Sequence, residues 1–162
     1  NKGIILKLEH NTDIMEKSVR ESFEQKVDLV TADGSCLEED HSCVEQTNYP
    51  LFAAQTDVAL RCLNNGGNFV CKFFEGMEIR TQLLICVLTN CFENVSIIKP
   101  NSSKITNSER YIVCRGFEKY IDVVEGTFEA SDSWLNDLQE TLDEYCIIQK
   151  NALCKIFSIM DK

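Results

Sequence analysis

Residues 69–73 constrain this chain more than any other stretch, because they form a short apolar run that contains a single charge, Lys72. A run of this kind is typical of a strand covered on both faces of a parallel sheet. Asn65, Gly66 and Gly67 precede it, and we expect the glycine pair to end the helix before the strand. A lysine near the carboxyl end of such a strand points towards the crevice in which open α/β sheets bind ligands. Lys72 is therefore a candidate for chemistry.

Two other stretches bring carboxylates to the same edge of the predicted sheet. Residues 27–34 read as a strand that ends at Asp33, in a tight Asp-Gly turn. Glu109 directly precedes residues 110–114, which read as part of the last predicted strand. If this strand is antiparallel to its neighbours, it begins at the edge where the parallel strands end. Because adjacent strands lie about 4.8 Å apart, we predict that Asp33, Lys72 and Glu109 meet directly or through one intervening group.

Apolar periodicity and turn residues predict the other elements of the chain. The predicted helices cover residues 12–26, 50–63, 78–90 and 134–160. The predicted strands cover residues 3–8, 27–32, 69–73, 95–99 and 111–116, and the last two are expected to pair as an antiparallel hairpin. Residues 35–48 form a long acidic loop, which in a compact domain is typical of a functional or disordered segment.

Three motifs in one order carry a resemblance to a known family. They are DLVTADG at residues 28–34, GGNFVCKFF at 66–74 and KPNSSKITNSERYIVCRGF at 99–117. Over residues 2–117 the chain resembles the FtsJ-type RNA 2'-O-methyltransferases, and within them the cap-specific mRNA group. The resemblance implies an α/β fold with a Rossmann-like methyltransferase sheet, mostly parallel, with an antiparallel last strand.

The resemblance also implies a catalytic group. The family uses a Lys-Asp-Lys-Glu tetrad, and its last three members correspond to Asp33, Lys72 and Glu109. Lys72 would be the general base that takes the proton from the ribose 2'-hydroxyl, and the carboxylates would orient it. An unperturbed lysine has a pKa of about 10.4. A pKa near 7 requires that the surroundings favour the neutral amine over the ammonium by roughly 4 to 5 kcal/mol. Burial and a second cation lower such a pKa, whereas carboxylates raise it.

Further residues are implied to hold the substrate and the cofactor. Asn107 corresponds to a substrate contact, and Asp13 and Ile14 correspond to a segment near the cofactor, S-adenosyl-L-methionine. The implied reaction transfers its methyl group to the ribose 2'-oxygen of the first transcribed nucleotide of m7G-capped mRNA, in the nucleus. No metal is expected.

The family pattern begins before the first residue of this chain. The first sheet strand, its glycine-rich cofactor turn and the first lysine of the tetrad are not among the 162 residues, so we expect the N-terminal strand to be missing. The chain is then either a fragment of a longer enzyme or a degenerate relative. Residues 1–117 are predicted to form a partial methyltransferase domain, and residues 118–162 an acidic linker with a helical appendage.

Charge is the main observation against an RNA-binding protein. The net charge is −10, whereas proteins that bind nucleic acid by general electrostatics are basic. Four basic residues nevertheless fall around the predicted site, namely Lys99, Lys104, Arg110 and Arg115. A solvated hairpin accounts for them equally well before the resemblance is considered.

Length and cysteine content bound the class of protein. A chain of 162 residues, 44% of them apolar, can bury one core. The sequence contains no run of about 18 apolar residues, so no transmembrane helix is predicted. Nine scattered cysteines favour reduced intracellular thiols. A zinc site at Cys36, His41 and Cys43 is the alternative, although the spacing matches no standard site.

Three functional hypotheses remain open. The first is the methyltransferase, with capped mRNA as its partner. The second is a catalytically inactive interaction module that keeps the sheet, and the third is an unrelated α/β nucleotide-binding domain.

Some of the named features also have a purely structural explanation. Asp33 and Asn107 are of residue types that commonly form turns. The C-terminal helix is expected to pack on the sheet, with a protein partner for this helix as the alternative.

Overall fold

A computed structural model describes residues 13–36, 43–124 and 126–160 of the chain. The predicted strand at residues 3–8 and His41 of the zinc alternative lie outside the described residues. The elements, in chain order, are α1 (Lys17–Glu21), β1 (Val27–Ala32), α2 (Val44–Cys62), β2 (Leu63–Phe74), α3 (Ile79–Cys91), β3 (Phe92–Ile98), β4 (Glu109–Phe117) and α4 (Asp132–Met160).

The four strands form one sheet in the order β1-β2-β4-β3. β1 and β2 are parallel, while β4 is inserted between β2 and β3 and is antiparallel to both. Three strands therefore run in one direction and the last strand runs against them. The predicted α/β sheet with an antiparallel last strand is confirmed, as is the hairpin of β3 and β4.

The core lies on one face of the sheet, where alternate residues of β2 are buried. Phe69, Cys71 and Phe73 pack against residues of α2 and α3, and the rings of Phe52 and Phe73 stack with centroids 5.7 Å apart. The alternate positions of β2, which include Lys72, are only half-buried. The prediction that this strand is covered on both faces is therefore wrong for the described part of the chain.

The glycine pair has a different role from the predicted one. α2 ends at Cys62, and Gly66 and Gly67 lie inside β2. The pairing with β1 is irregular at this point, so that extra residues of β2 bulge out of the ladder. Gly66 has a φ of 79°, which favours glycine, and a Cβ on Gly67 would lie 2.8 Å from the carbonyl oxygen of Asn64.

Two helices differ from the predicted bounds. α1 is much shorter than predicted, because the guanidinium of Arg20 donates hydrogen bonds to the carbonyl oxygens of Ile14 and Met15, which a longer helix would use itself. α2 begins earlier than predicted, so that Pro50 lies inside the helix. Its first turn is held in place by Glu45, whose carboxylate accepts hydrogen bonds from the backbone N–H groups of Met77 and Glu78.

α4 and the segment before it pack on the same core. Val123 and Leu142 are buried, and Trp134 and Leu138 pack against the core cluster. None of the described helices combines the length and the apolar content that crossing a membrane requires.

Candidate active site

The candidate residues of three strands lie at one rim of the sheet. Asp33 directly follows β1, Lys72 lies near the end of β2, and Glu109 begins β4. The register pairs Lys72 with Tyr111 and Phe74 with Glu109. Because residues that face each other across an antiparallel pair share a face, these four side chains project on the same side of the sheet.

Lys72 and Asp33 form the closest contact of this group. Lys72 Nζ lies 3.0 Å from Asp33 Oδ1 and also donates a hydrogen bond of 3.0 Å to the backbone carbonyl oxygen of Asp33. The lysine side chain is 11% exposed and the aspartate side chain 68% exposed. The amine also lies 5.8 Å from the centre of the Phe74 ring. The amine is therefore sheltered, while its carboxylate partner opens to solvent.

Glu109 belongs to the same face but has its own partner. Its Oε1 accepts a hydrogen bond of 2.9 Å from Ser103 Oγ. The register makes Glu109 the diagonal neighbour of Lys72, and such neighbours are typically separated by about 7–8 Å. This geometry leaves space for one intervening group between the amine and the carboxylate, which is one of the two arrangements predicted for them.

Tyr111 faces Lys72 across the β2–β4 pair and was not among the predicted residues. Its hydroxyl donates a hydrogen bond of 3.2 Å to Asp33 Oδ1. Burial raises the pKa of Tyr111, and the negative charges of Glu109 and Asp33 raise it further. The signal in the sequence was its position two residues after Glu109, which puts both side chains on one face of a strand.

Asn107 is fixed by a second lysine, Lys99. Lys99 Nζ donates hydrogen bonds to Asn107 Oδ1 at 2.8 Å, to the Asn107 carbonyl at 3.0 Å and to the Glu109 carbonyl at 2.7 Å. It also donates to Ser103 Oγ at 3.3 Å, so that it lies behind both Asn107 and Glu109. Burial lowers the pKa of Lys99, against the opposing effect of Glu109 and together with the charge of Arg110.

Asp13 and Ile14 form the turn that precedes α1. Asp13 Oδ1 accepts a hydrogen bond from the backbone N–H of Met15, and the carbonyl of Ile14 accepts one from Arg20. Arg20 in turn binds Asp57 of α2 at 3.0 Å. Ile14 is thus connected to α2 through Arg20.

Only part of the predicted basic cluster faces the site. Arg110 is 1% exposed, and its guanidinium donates a hydrogen bond to the carbonyl of Glu75 inside the fold. Arg115 pairs with Asn68, near the far end of β4 and away from the Lys72 rim. The prediction is therefore wrong for Arg115, whereas Arg110 lies at the predicted end of the strand but is buried. Arg110 and Arg115 are separated by five positions on one strand, and they occupy opposite ends of it.

A cleft of about 460 Å³ adjoins this rim. It lies between the segments that follow β1 and β2, the start of α2, the loop before β4 and one side chain of α4. Its lining residues are Ser35, Cys36, Val44, Asn48, Phe74, Glu75, Thr106, Asn107, Ser108 and Gln149. Phe74 connects the cleft to Lys72, since its ring contacts the lysine amine on the same face.

The comparison with protein families decides the class of this sheet. The family model of FtsJ-like methyltransferases matches residues 2–117. The chain belongs to this family. The FtsJ-like methyltransferases use S-adenosylmethionine as their methyl donor, which is the cofactor that the sequence resemblance implies.

The relatives of this FtsJ-like chain include cap methyltransferases. It is 40% identical over 111 residues to the cap-specific mRNA (nucleoside-2'-O-)-methyltransferase 2 of Drosophila melanogaster, covering 67% of this chain and 16% of the relative. It is 33% identical over 134 residues to the cap-specific mRNA (nucleoside-2'-O-)-methyltransferase of Autographa californica nuclear polyhedrosis virus. This match covers 82% of this chain and 48% of the relative. The chain therefore spans less than half the length of these relatives.

A solved structure is similar in fold to this FtsJ-like chain. It is described as a ribosomal RNA methyltransferase from Plasmodium falciparum, with a TM-score of 0.50 and 21% sequence identity over 68% of this chain and 58% of that one. At this identity the similarity shows the fold alone, and it agrees with the mixed sheet described above.

Proposed function

We propose that this domain belongs to an enzyme that transfers a methyl group from S-adenosyl-L-methionine to a ribose 2'-oxygen of m7G-capped mRNA. The acceptor proposed is the first transcribed nucleotide. One observation supports this proposal most: the sheltered amine of Lys72, 3.0 Å from Asp33, lies on the same strand face as Glu109. The proposed substrate is supported by the similarity to cap-specific mRNA methyltransferases.

Lys72 is proposed as the general base. In its neutral form, Lys72 Nζ carries a lone pair that would accept the proton of the ribose 2'-hydroxyl. The oxygen would then be the nucleophile for a methyl group supplied by the bound cofactor, whose sulfur would leave as a neutral thioether. Asp33 orients the amine through two contacts, one from its carboxylate and one from its backbone carbonyl. Glu109, held by Ser103, is the diagonal neighbour of Lys72 on the same strand face, and Asn107 is proposed to bind the substrate.

Asp13 and Ile14 are proposed to hold the nucleoside end of the cofactor. Asp13 is exposed and Ile14 is half-buried, so that a carboxylate and an apolar side chain stand next to each other. This pair fits a nucleoside, because a carboxylate accepts hydrogen bonds from ribose hydroxyls and an apolar side chain contacts a base. When it is bound, S-adenosylmethionine supplies an electrophilic methyl group on a positively charged sulfur.

The test uses the full-length protein that carries this domain, m7G-capped RNA and methyl-labelled cofactor. Matched RNAs carry a 2'-deoxyribose at the first or the second transcribed nucleotide, which removes one acceptor oxygen at a time. We expect label in the capped RNA and its loss only with the first 2'-deoxy substitution. Label that survives this substitution contradicts the proposed position, and unlabelled RNA contradicts the proposed reaction.

Two further proposals concern the setting of the reaction. We propose the nucleus as its location, because the relatives are named for mRNA caps and mRNA is made there. Microscopy that finds the tagged protein outside the nucleus would contradict this location.

We also propose that the far end of α4 binds a protein partner, since Ile156, Phe157 and Ile159 are exposed. Co-purification that survives Phe157→Asp would argue against this contact.

A further inference from the structure

α4 lies outside residues 2–117, which match the family, yet it contacts the loop that carries Asn107. This loop, residues 99–108, connects β3 to β4 and is called the acceptor loop below. Its inner side is held by Lys99, as described above. Its outer side meets the middle of α4, where Leu142 is fully buried and anchors the helix beside Gly76 and Phe73.

Two side chains of α4 donate hydrogen bonds to the backbone at the ends of this hairpin. Tyr145 Oη donates to the carbonyl of Ile97 in β3 at 3.0 Å. Gln149 Nε2 donates to the carbonyl of Thr106 at 3.1 Å. Thr106 directly precedes Asn107, so that Gln149 fixes the peptide next to the proposed substrate contact.

A third contact fixes the ring of Tyr145. The guanidinium carbon of Arg110 lies 5.2 Å from the centre of the ring, and Arg110 Nη2 donates to Cys146 Sγ at 3.3 Å. Arg110 is buried and follows Glu109 directly in β4. One arginine therefore connects α4 to the strand that begins with a candidate catalytic carboxylate.

Gln149 also belongs to the wall of the cleft beside Lys72. It lines the 460 Å³ cleft together with Thr106, Asn107 and Ser108, which are the last residues of the acceptor loop. Ten residues without regular structure lie between β3 and β4, and a loop of this length is costly to order unless both sides are held. Lys99 holds one side, and α4 holds the other.

We propose that α4 is part of the acceptor site, and that Gln149 and Tyr145 are positioning residues that hold Asn107 towards the RNA. This inference rests on the proposed function, which makes Asn107 a substrate contact. The division at residue 117 into a domain and an appendage remains a prediction of the sequence, and in this proposal the appendage holds the acceptor loop. Since the two side chains act through the loop, they affect binding of RNA and not the methyl transfer itself.

The test compares two glutamines of the same helix in the full-length protein. Gln149→Met keeps the length of the side chain, carries no charge and removes the N–H donor. Gln139→Met is the matched control, because the hydrogen bonds of Gln139 go to Gln82, Met77 and Asp143. We expect Gln149→Met to raise KM for capped RNA about 5- to 10-fold with kcat changed by less than about twofold, and Gln139→Met to change neither.

A second readout does not depend on activity. Hydrogen exchange of the amides in residues 103–108 is expected to be faster in Gln149→Met than in the wild type and in Gln139→Met. Unchanged exchange in Gln149→Met, an unchanged KM, or equal effects of the two variants would each overturn the inference. If the wild type methylates no capped RNA, the proposed function fails, while the exchange measurement still decides whether α4 holds the loop.

Discussion

At the scale of single residues, the amine of Lys72 is held from one side. An ammonium has three N–H donors, and two of them are used by the carboxylate and the carbonyl of Asp33. One direction is left for a further group, and Glu109 and Tyr111 share the strand face around it. This arrangement fits a residue that meets a substrate better than it fits a salt bridge whose purpose is stability.

Asp33 can be tested without removing the backbone contact. In Asp33→Asn, the carbonyl still accepts a hydrogen bond from Lys72, but the charge that orients the amine is lost. We expect kcat for capped RNA in the full-length protein to fall by about 10-fold or more. Asp28→Asn is the control, since Asp28 is an exposed carboxylate of β1 that binds Asn64. Equal activity of the two variants would contradict the role of Asp33.

At the scale of the elements, a buried ionic cluster joins α1 to α2. The carboxylate of Asp57 accepts hydrogen bonds of 3.0 Å from Arg20 Nε and from Arg61 Nε, and one of 2.9 Å from Tyr120 Oη. Both Arg20 and Asp57 are almost completely buried. Because Arg20 also binds the carbonyl of Ile14, this cluster positions the turn that is proposed to hold the cofactor.

Removing the carboxylate of this cluster is expected to be costly. Asp57→Ala leaves the charge of Arg20 buried without its partner, and such a change typically costs about 3–5 kcal/mol of unfolding free energy. Asp137→Ala is the matched control in an exposed position of α4, and its effect is expected to stay within about 0.5 kcal/mol. Urea denaturation of the two variants measures both values. A loss below about 1 kcal/mol for Asp57→Ala would show that the cluster contributes little.

The same cluster predicts a pH dependence at alkaline pH. Burial, the hydrogen bond to Asp57 and the negative charge of Asp57 raise the pKa of Tyr120 from 10.0 to about 12. The positive charge of Arg61 acts in the opposite direction but is outweighed. Since the folded state holds this proton more tightly, Tyr120 contributes stability that is fully present below pH 10 and is lost as the pH rises towards 12.

We therefore expect the unfolding free energy of the wild type to fall relative to that of Tyr120→Phe over this range. Phenylalanine has no hydroxyl to ionise, so the difference between the two proteins isolates the titration of Tyr120. Urea denaturation at a series of pH values measures it. If the two proteins lose stability in parallel from pH 10 to pH 12, the hydroxyl does not titrate in this way.

At the scale of the whole molecule, the sequence was most informative where a local signal was sufficient. The apolar runs and the Asp-Gly turn located the strands and the rim that carries Asp33, Lys72 and Glu109. It was least informative where a residue depends on partners far along the chain. Lys99 resembled a solvated lysine, and the bulge at Gly66 and Gly67 depends on the pairing of β2 with β1.

The strand order is also a property of the whole molecule. β4 lies between β2 and β3, although it follows both in the chain, and this insertion sets Tyr111 opposite Lys72. The two-residue spacing from Glu109 puts Tyr111 on the same strand face, but periodicity does not identify the neighbouring strand, so the contact of Tyr111 with Asp33 was not predicted. The shortness of α1 also depends on a distant residue, because Arg20, which binds the carbonyls of Ile14 and Met15, is bonded to Asp57 of α2.

The most direct test of the account is the rate of 2'-O-methylation by full-length protein carrying Lys72→Met. Methionine keeps most of the side-chain volume but has no basic nitrogen, and loss of a general base typically costs about 10²- to 10⁴-fold in rate. Lys150→Met, at an exposed position of α4, is the control. We expect kcat to fall at least about 100-fold in Lys72→Met, with cofactor affinity measured by calorimetry unchanged. A kcat within about twofold of the wild type would contradict the assignment of Lys72 as the base.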